Sequence, residues 1–383
     1  MISKFLRAAT ATLAVASVVS AQTYTDCDPT KRDGCPNPKA VGSQVVDIDF
    51  RKGGNAFFKE LEGTKITYDP ELGAVFSIKK ETDAPTIASN KYIFFGQVDV
   101  TVRAARGTGI VTSFVLQSDD LDEIDWEWIG SDNYEVQTNY FSKGCTETYD
   151  RGGFSNVHDP INTFHTYTIR WTPEQLDWII DGNVVRTLKN TGEKGCSGYP
   201  QSPMQIKLGT WVAGRKDAPE GTIQWAGGLA NWKEAPFDGY YQSIRIQDFM
   251  GGAKEATEYQ YTDRSGTWQS IRVVNDGKPA EISSKPTLPA TTSTAKPSST
   301  STSSVSTTSA TTFATVTSST STVASSATAS QVSISPSPTV NTPNAGVSPV
   351  PSDDSTGAAG RLALNVGNAV AMGVAAVFGY LLL

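Results

Sequence analysis

The sequence predicts an all-β fold, an antiparallel sandwich that is followed by a tract with no capacity to fold. From Val45 to about Val274, short runs of alternating polar and apolar residues are separated by turn residues. Long helical periods are absent from this part of the sequence. Because β-sandwiches of about 200–250 residues form single domains, we expect one domain here and not two.

The predicted strands follow one another at short intervals. Examples are Ala74–Ile78, Phe94–Arg103, Ile110–Leu116, Tyr134–Phe141, His165–Trp171, Leu176–Ile180 and Ser243–Ile246. Asp181-Gly182 lies between two apolar runs and predicts a hairpin turn. We expect Trp171 and Trp178 to be core or hairpin residues, and residues 22–44 to be irregular.

Both ends of the chain carry targeting signals. Lys4 and Arg7 precede an apolar run that is too short to span a membrane, so we predict a signal peptide at residues 1–21. At the other end, small residues, a polar spacer and the apolar run 369–383 are typical of a GPI-anchor signal. We predict that residues 358–383 are removed and that Gly357 carries the lipid, with Ser355 and Asn365 as rivals. A plain tail anchor is the alternative.

Residues 276–357 form the predicted linker, in which Ser, Thr, Pro and Ala predominate from about Ser283. Such a segment cannot offset its ordering entropy by burying apolar surface. Dense Ser and Thr with Pro are typical of a disordered, O-glycosylated stalk. The folded domain is therefore assigned to residues 22–275.

Four cysteines, Cys27, Cys35, Cys145 and Cys196, lie in the predicted secreted part. Secretion favours disulfides over thiols or metal ligation, and three pairings are possible. We favour Cys27–Cys35 and Cys145–Cys196. Neither Cys nor His spacing resembles a zinc site. We predict no metal and no cofactor.

The net charge of the chain further limits the classes of partner that we expect it to bind. The net charge is −7 and no basic cluster is present, so nucleic acid is an unexpected partner. We expect a monomer.

The segment Glu123–Ile129 alternates acidic and apolar side chains without a break. In a strand, Glu123, Asp125 and Glu127 point to one face. Like charges so arranged repel one another, so a fold keeps such a row most readily where it has a function. The alternative is an acidic solvent face on an amphipathic strand.

The spacing of the outer acids suits a particular chemistry. Their Cα atoms lie about 13 Å apart in a strand. If each side chain leans inward by roughly 4 Å, about 5–6 Å separates the carboxyl groups, as a retaining glycosidase requires. Asp125 between them opposes ionisation of both neighbours, so that one Glu holds a proton near neutral pH. Geometry alone does not say which Glu is the nucleophile. We expect the three acids to be accessible to a bound polysaccharide.

The segment GTGIVTSFVLQSDDLDEIDWEWIG, residues 107–130, resembles the catalytic strand of glycoside hydrolase family sixteen. The regular E-[IL]-D-x-E form is that of its lichenases and plant xyloglucan transglycosylases. More closely, the chain resembles the fungal Crh cell-wall transglycosylases over about residues 22–275. Further similar segments are YEVQTNYF (134–141), FHTYTIRWTPEQLDWIIDGNVVR (164–186), MQIKLGTWVAG (204–214) and GTIQWAGGLANWKEAPF (221–237).

This resemblance implies a concanavalin-like β-jelly roll whose concave sheet forms an open cleft. It also implies that Glu123 is the nucleophile, Glu127 the acid/base, and Asp125 the auxiliary carboxylate. The implied donor is chitin, and the implied acceptors are β-glucan or chitin chains in the cell wall. The enzyme is then expected in the wall and, through its GPI anchor, at the outer face of the plasma membrane.

Strand alternation, and position within the segments that resemble the family, give the candidate sugar-binding residues. Gln137 and Asn139 share a face, as do Lys207 and Trp211, and Trp211 is the preferred stacking surface. An extended GTIQW segment places Thr222 opposite Trp225. The full set of candidates is Gln137, Asn139, Lys207, Trp211, Arg215, Thr222 and Trp225. For Gln137 and Asn139 the alternative is a structural hydrogen bond; for each Trp it is core packing.

Two other functions fit the same sandwich. One is a simple hydrolase, an endo-β-glucanase or a chitinase, that uses water as the acceptor. The other is a sugar-binding wall protein without catalysis, which the intact acidic row disfavours.

Overall fold

The computed structural model of the chain describes residues 25–282. These residues form two large antiparallel sheets and one small one. The strands are β1 (Val46–Asp49), β2 (Phe58–Glu60), β3 (Thr67–Asp69), β4 (Gly73–Ile78), β5 (Thr86–Ile93), β6 (Gly96–Arg103), β7 (Ile110–Ser118), β8 (Glu123–Ile129), β9 (Glu135–Phe141), β10 (Gly153–Asn156), β11 (His165–Trp171), β12 (Gln175–Ile180), β13 (Asn183–Lys189), β14 (Met204–Val212), β15 (Phe237–Asp248), β16 (Glu258–Tyr261), β17 (Ile271–Asn275) and β18 (Lys278–Pro279). One α-helix, α1 (Glu220–Trp225), and five short 3₁₀ turns complete them: Phe50–Lys52, Gly195–Ser197, Trp232–Glu234, Met250–Gly252 and Trp268–Ser270.

The two large sheets pack face to face. One has the order β13-β12-β11-β6-β15-β4-β3, with β1 also on β15, and the other has the order β10-β9-β8-β7-β14-β5-β2. Aromatic side chains join them: the rings of Trp126 and Trp128 on β8 lie 5.3 and 4.5 Å from that of Tyr167 on β11. The sandwich predicted from alternation is confirmed.

The predicted strands match the structure closely because their alternation matches their burial. In β6, buried and half-buried residues alternate along the whole strand. Trp171 and Trp178 are fully buried, as expected. Asp181 and Gly182 join β12 to β13 with φ angles of 48° and 83°, the pair of positive values that a tight type I′ hairpin requires.

The segment around Trp225 is not extended as the alternation suggested. Residues Glu220–Trp225 form the helix α1, which follows Pro219. Since helical side chains three positions apart share a face, Thr222 and Trp225 lie on the same side and not on opposite sides. A six-residue polar and apolar run is too short for its periodicity to distinguish a strand from a helix.

The small sheet spans the predicted boundary at residue 275. It has the order β16-β17-β18, and a bridge between Ala253 and Ile282 follows it. The predicted signal peptide, the lipid-attachment residue Gly357 and the Ser/Thr-rich tract lie outside the described residues. Within residues 25–282, no helix has both the length and the apolar character to cross a membrane.

Both favoured disulfides are present. Cys27 pairs with Cys35 across 8 residues, and Cys145 pairs with Cys196 across 51 residues. The first closes a local loop before the sandwich. The second joins the segment between β9 and β10 to the segment that leads into β14, so it connects two distant parts of the chain.

The two disulfides differ in the size of the loop that they close, and this difference predicts their contributions to stability. Replacing Cys145 and Cys196 together by Ser lowers the free energy of unfolding by about 4 kcal/mol, whereas the same change at Cys27 and Cys35 costs about 2.5 kcal/mol. Chemical denaturation of both double variants measures the difference. Equal losses, or a larger loss for the short loop, would contradict this expectation.

Candidate active site

The acidic row lies on β8, a central strand of the seven-stranded sheet between β7 and β9. Glu123, Asp125 and Glu127 point away from the sandwich interior, while Trp126 and Trp128 point into it and are fully buried. Trp178 of the opposite sheet donates its indole N–H to the backbone carbonyl of Asp125 at 3.1 Å. The core therefore fixes the backbone of the acidic strand from behind.

Strand register determines the neighbours of each acid. Directly opposite residues on adjacent strands share a face. The neighbours are Gln117 and Phe141 for Glu123, Val115 and Asn139 for Asp125, and Ser113 and Gln137 for Glu127. Every acid thus stands between a β7 and a β9 side chain, and the three surroundings differ in polarity.

The acids are buried, contrary to the expectation of an accessible row. Glu123, Asp125 and Glu127 are 2, 0 and 1% exposed. Side chains on both adjacent strands crowd a strand in the middle of a sheet, which the acidic sequence alone does not reveal. Both carboxyl oxygens of Glu127 lack a hydrogen-bond partner, whereas Oε2 of Glu123 accepts from the Gln117 amide. Unpaired buried oxygens are costly, so their retention indicates a functional site.

Burial raises the pKa of all three carboxyl groups, but unequally. The pKa of Glu127 lies well above its usual value because of burial and then the charge of Glu123. The pKa of Asp125 is also well above its usual value, through burial and the charges of both neighbours. Burial raises the pKa of Glu123 to about 7, and a hydrogen bond from Gln117 and the charge of Lys207 oppose that rise. Glu123 is accordingly the acid best able to ionise.

Two hydrogen bonds in series contribute to this difference in pKa. Lys207 Nζ donates to Gln117 Oε1 at 2.6 Å, and the Gln117 amide donates to Glu123 Oε2. Lys207, a predicted sugar contact, is therefore already engaged with Gln117 and is partly buried. Sequence reasoning missed Gln117. Its place in the alternation of β7, in phase with Ser113 and Val115 and directly opposite Glu123, was the available signal.

Gln137 and Asn139 lie beside the acids, where β9 was expected to place them. Gln137 is directly opposite Glu127 and accepts a hydrogen bond from the Trp225 indole N–H at 2.8 Å. Asn139 is directly opposite Asp125, and its Oδ1 is buried without a partner. Gln137 thus makes a structural hydrogen bond, while Asn139 retains an unused acceptor.

Of the remaining candidates, Trp211 and Trp225 lie beyond Glu127 on the same side of the sheet, because Trp211 is opposite Val111, which is opposite Ile129. Trp211 and Trp225 stack with ring centroids 6.0 Å apart and an angle of 28° between their planes. Trp211 is only 3% exposed, so Trp225, which is half-buried, presents the more accessible ring. Thr222 is buried on α1. Arg215 pairs with Asp217 at 3.3 Å and not with the acidic row.

A buried ion cluster supports the turn that leads into β8, and the sequence did not reveal it. Lys143 Nζ lies 2.9 Å from Asp120 and 2.6 Å from Asp122, both of which are fully buried side chains. The Asp122 carboxylate also accepts the backbone N–H groups of Gln201 and Ser202 at 2.8 and 3.1 Å. Since Asp122 immediately precedes Glu123, the cluster fixes the start of the acidic strand.

One group of potential metal ligands occurs in the described part of the chain. Cys145, Cys196 and Glu147 bring their sulfur and oxygen atoms within 4.8 Å of one another. Both sulfurs are joined in a disulfide and are therefore not available as thiolate ligands. This group does not form a metal centre.

Comparison with known proteins agrees with the geometry of β8. The model of the glycosyl hydrolases family 16 matches residues 54–227, a range that includes the whole acidic row. Crh-like protein 5 of Aspergillus fumigatus is 45% identical over 280 residues, which are 73% of this chain and 69% of that protein. The chain belongs to glycosyl hydrolase family 16. Within the family it groups with the Crh-like proteins, so it is an enzyme that acts on glycosidic bonds.

Other relatives show the same grouping. Congo red hypersensitive protein 1 of Saccharomyces cerevisiae is 44% identical over 64% of this chain and 46% of its own length. A solved structure described as Crh5 transglycosylase in complex with NAG is 45% identical, with a TM-score of 0.61, and covers 65% of this chain and 100% of its own. The jelly-roll fold and the Crh family expected from the sequence are confirmed.

The buried acids are expected to reduce stability at neutral pH. The folded pKa of Glu127 is raised, so this residue costs stability as pH rises from its ordinary pKa towards the folded value. Glu127→Gln removes that cost and is expected to raise the free energy of unfolding at pH 7 by about 1–3 kcal/mol, and by much less at pH 4. Thermal unfolding at both pH values measures this.

Glu60→Gln on β2 is the matched control, because Glu60 is exposed. Its unfolding temperature should change little at either pH. A Glu127→Gln variant that is no more stable than the unmodified protein at pH 7 would contradict the raised pKa.

Proposed function

We propose that this enzyme is a retaining transglycosylase that cleaves chitin and transfers the cleaved chain to β-glucan or chitin, thereby crosslinking a cell wall. The observation that carries the proposal is the unequal surroundings of the two outer acids on β8. Glu123 accepts a hydrogen bond from Gln117 near the Lys207 cation, whereas both oxygens of Glu127 lack a partner. One face of the sheet therefore holds both an acid that ionises and an acid that retains its proton.

These surroundings support an assignment of the roles that spacing alone leaves open. A nucleophile has to be ionised, and the hydrogen bond from Gln117 favours the charged form of Glu123. A general acid has to be protonated, and burial beside Glu123 favours the neutral form of Glu127. Asp125 lies between them with its own pKa raised, and a protonated Asp125 can donate a hydrogen bond to Glu123. We assign Asp125 to this supporting role.

The reaction then proceeds in two displacements. The Glu123 carboxylate attacks the anomeric carbon, the bond from this carbon to the bridging oxygen breaks, and Glu127 gives its proton to that oxygen. A covalent glycosyl-enzyme and a shortened chain result. An acceptor hydroxyl then loses its proton to Glu127 and attacks the same carbon, which releases Glu123 as a carboxylate. The β configuration is retained, and both acids return to their starting states.

The hydrolytic alternative uses the same first step and differs only in the second. Water in place of the sugar hydroxyl would give a chitinase or an endo-β-glucanase. The similar Crh5 transglycosylase, whose structure is a complex with NAG, supports a sugar acceptor and an N-acetylglucosamine-containing donor. Asn139, with its free amide oxygen beside Asp125, is the nearest candidate to bind a donor hydroxyl or N-acetyl group.

The site of action follows from the family and from the sequence signals together. Crh-like relatives support action on wall polysaccharide. We further propose that the enzyme is secreted, held through a GPI lipid at Gly357, and active as a monomer, with the Ser/Thr-rich tract as its spacer. Mass spectrometry of the native protein tests the lipid and its attachment residue.

The decisive experiment follows the fate of the donor chain. Chitin oligomers incubated with fluorescently labelled laminarin oligomers should yield labelled products of higher mass that contain both sugars. Glu123→Gln should lower their rate of formation at least about a thousandfold, because the amide cannot form the glycosyl-enzyme. Mass spectrometry measures both outcomes. Shorter chains without mixed products would contradict transfer, and an active Glu123→Gln variant would contradict the mechanism.

The contact between Gln117 and Glu123 predicts a change in pH dependence. Activity requires ionised Glu123, so kcat/KM falls as pH decreases through the pKa of this residue, about 7. Gln117→Leu removes a hydrogen bond to the charged form and should move this acidic limb to higher pH by about one unit. The pH profile of kcat/KM on a chitin oligomer measures the shift.

Gln205→Leu is the control, because Gln205 lies opposite Gln117 on β14 but donates to the Ser89 carbonyl at 2.6 Å. Its profile should match that of the unmodified enzyme. If the Gln117→Leu limb stays in place or moves to lower pH, Gln117 does not set the ionisation of Glu123.

A further inference from the structure

An exposed aromatic side chain lies at the edge of the catalytic sheet. Phe154 is in the middle of β10, the outermost strand of the seven-stranded sheet, and is 48% exposed. A large apolar ring gains most when it is buried. An edge strand with an exposed ring also invites unwanted pairing. The sandwich core gives no reason for a phenylalanine here.

Strand register places Phe154 in the row of Glu127. Phe154 is directly opposite Gln137, and Gln137 is directly opposite Glu127. Directly opposite residues share a face, so the ring stands on the side of the acids. With adjacent strands about 4.8 Å apart, β10 lies roughly 10 Å from the acidic strand.

The other face of β10 confirms this orientation. Gly153 is opposite Thr138, whose hydroxyl accepts a hydrogen bond from Arg186 at 2.8 Å. The Arg186 guanidinium in turn lies over the ring of the buried Trp178, 4.5 Å from its centroid. Successive residues of β10 point to opposite faces of the sheet. Gly153 is on the interior face, so Phe154 is on the face of the acids.

The surroundings of the ring suit a sugar. Glu135 and Asn156 are directly opposite one another on the same face, two residues along each strand from Gln137 and Phe154. Gln137 is held by the Trp225 indole. A flat apolar surface bordered by amide and carboxylate groups matches a pyranose ring, which has an apolar face and hydroxyls around its rim.

We propose that Phe154 is the stacking surface for a ring of the acceptor polysaccharide, two strands away from the acid/base. Its alignment with Glu127, and not with Glu123, places it on the side where the leaving chain departs and the acceptor hydroxyl arrives. The inference rests on the proposed transglycosylase function. The ligand is a β-linked hexose chain, the chemistry that β-glucan and chitin share.

Kinetics with a fixed chitin donor and a varied, labelled laminarin acceptor test the role of Phe154. Phe154→Ala should raise the acceptor KM about three- to tenfold. For a donor whose leaving group is a single sugar, too short to reach β10 roughly 10 Å away, the donor KM and the rate of cleavage without acceptor should stay unchanged. Phe154→Trp should restore the acceptor KM. Tyr134→Ala is the matched control, since Tyr134 is a 73% exposed aromatic residue just before β9 and out of phase with Gln137.

The outcomes separate this inference from the function on which it rests. If the unmodified enzyme forms mixed chains and Phe154→Ala leaves the acceptor KM unchanged, the inference is wrong and the function stands. If Phe154→Ala changes donor cleavage as much as it changes the acceptor KM, the ring is not specific to the acceptor, and the inference is also wrong. If the unmodified enzyme forms no mixed chains, the proposed function itself fails.

Discussion

The burial of three carboxyl groups on one face of β8 is the constraint on which the rest of the site depends. Water would screen their repulsion and hydrate their charges, and its removal leaves only the neighbouring strands to decide which acid is charged. The protein distinguishes the acids through those strands. β7 supplies an amide to Glu123, an apolar Val115 to Asp125, and a serine to Glu127. A symmetric sequence motif thereby becomes an asymmetric site.

The strand that carries these mutually repelling acids is held at two places. Behind it, Trp126, Trp128 and the indole N–H of Trp178 join it to the other sheet. At its start, Lys143 and its two buried aspartates fix the turn. Apolar burial and paired ions thus maintain a conformation that the acids themselves disfavour, a compromise typical of active sites.

Sequence reasoning predicted what depends on local alternation and on composition. The strands, the Asp181-Gly182 hairpin and the common face of Glu123, Asp125 and Glu127 follow from a period of two, which strand geometry imposes on every residue. Both cysteine pairings were favoured from spacing and secretion. The phase of Gln137 and Asn139 on β9 followed in the same way.

What sequence reasoning could not predict depends on which strands become neighbours. The burial of the acids, the contact from Lys207 through Gln117, and the coverage of Trp211 by Trp225 all arise between distant parts of the chain. The helix α1 was mistaken for a strand because six residues are too few to establish a period. The strand register of the structure identifies the neighbours of each residue, which alternation along the sequence cannot do.

The hairpin formed by β7 and β8 carries both Glu123 and the residue that tunes it, and this has a consequence for quality control in the cell. A slip of one residue between these strands would turn the acids into the tryptophan-lined interior and the tryptophans out to water. Such a chain would not adopt the native fold, because it would expose its tryptophans and bury charged acids in the core. Any molecule that keeps this pairing has, by the same register, already aligned its catalytic residues, so a check of the fold is also a check of the active site.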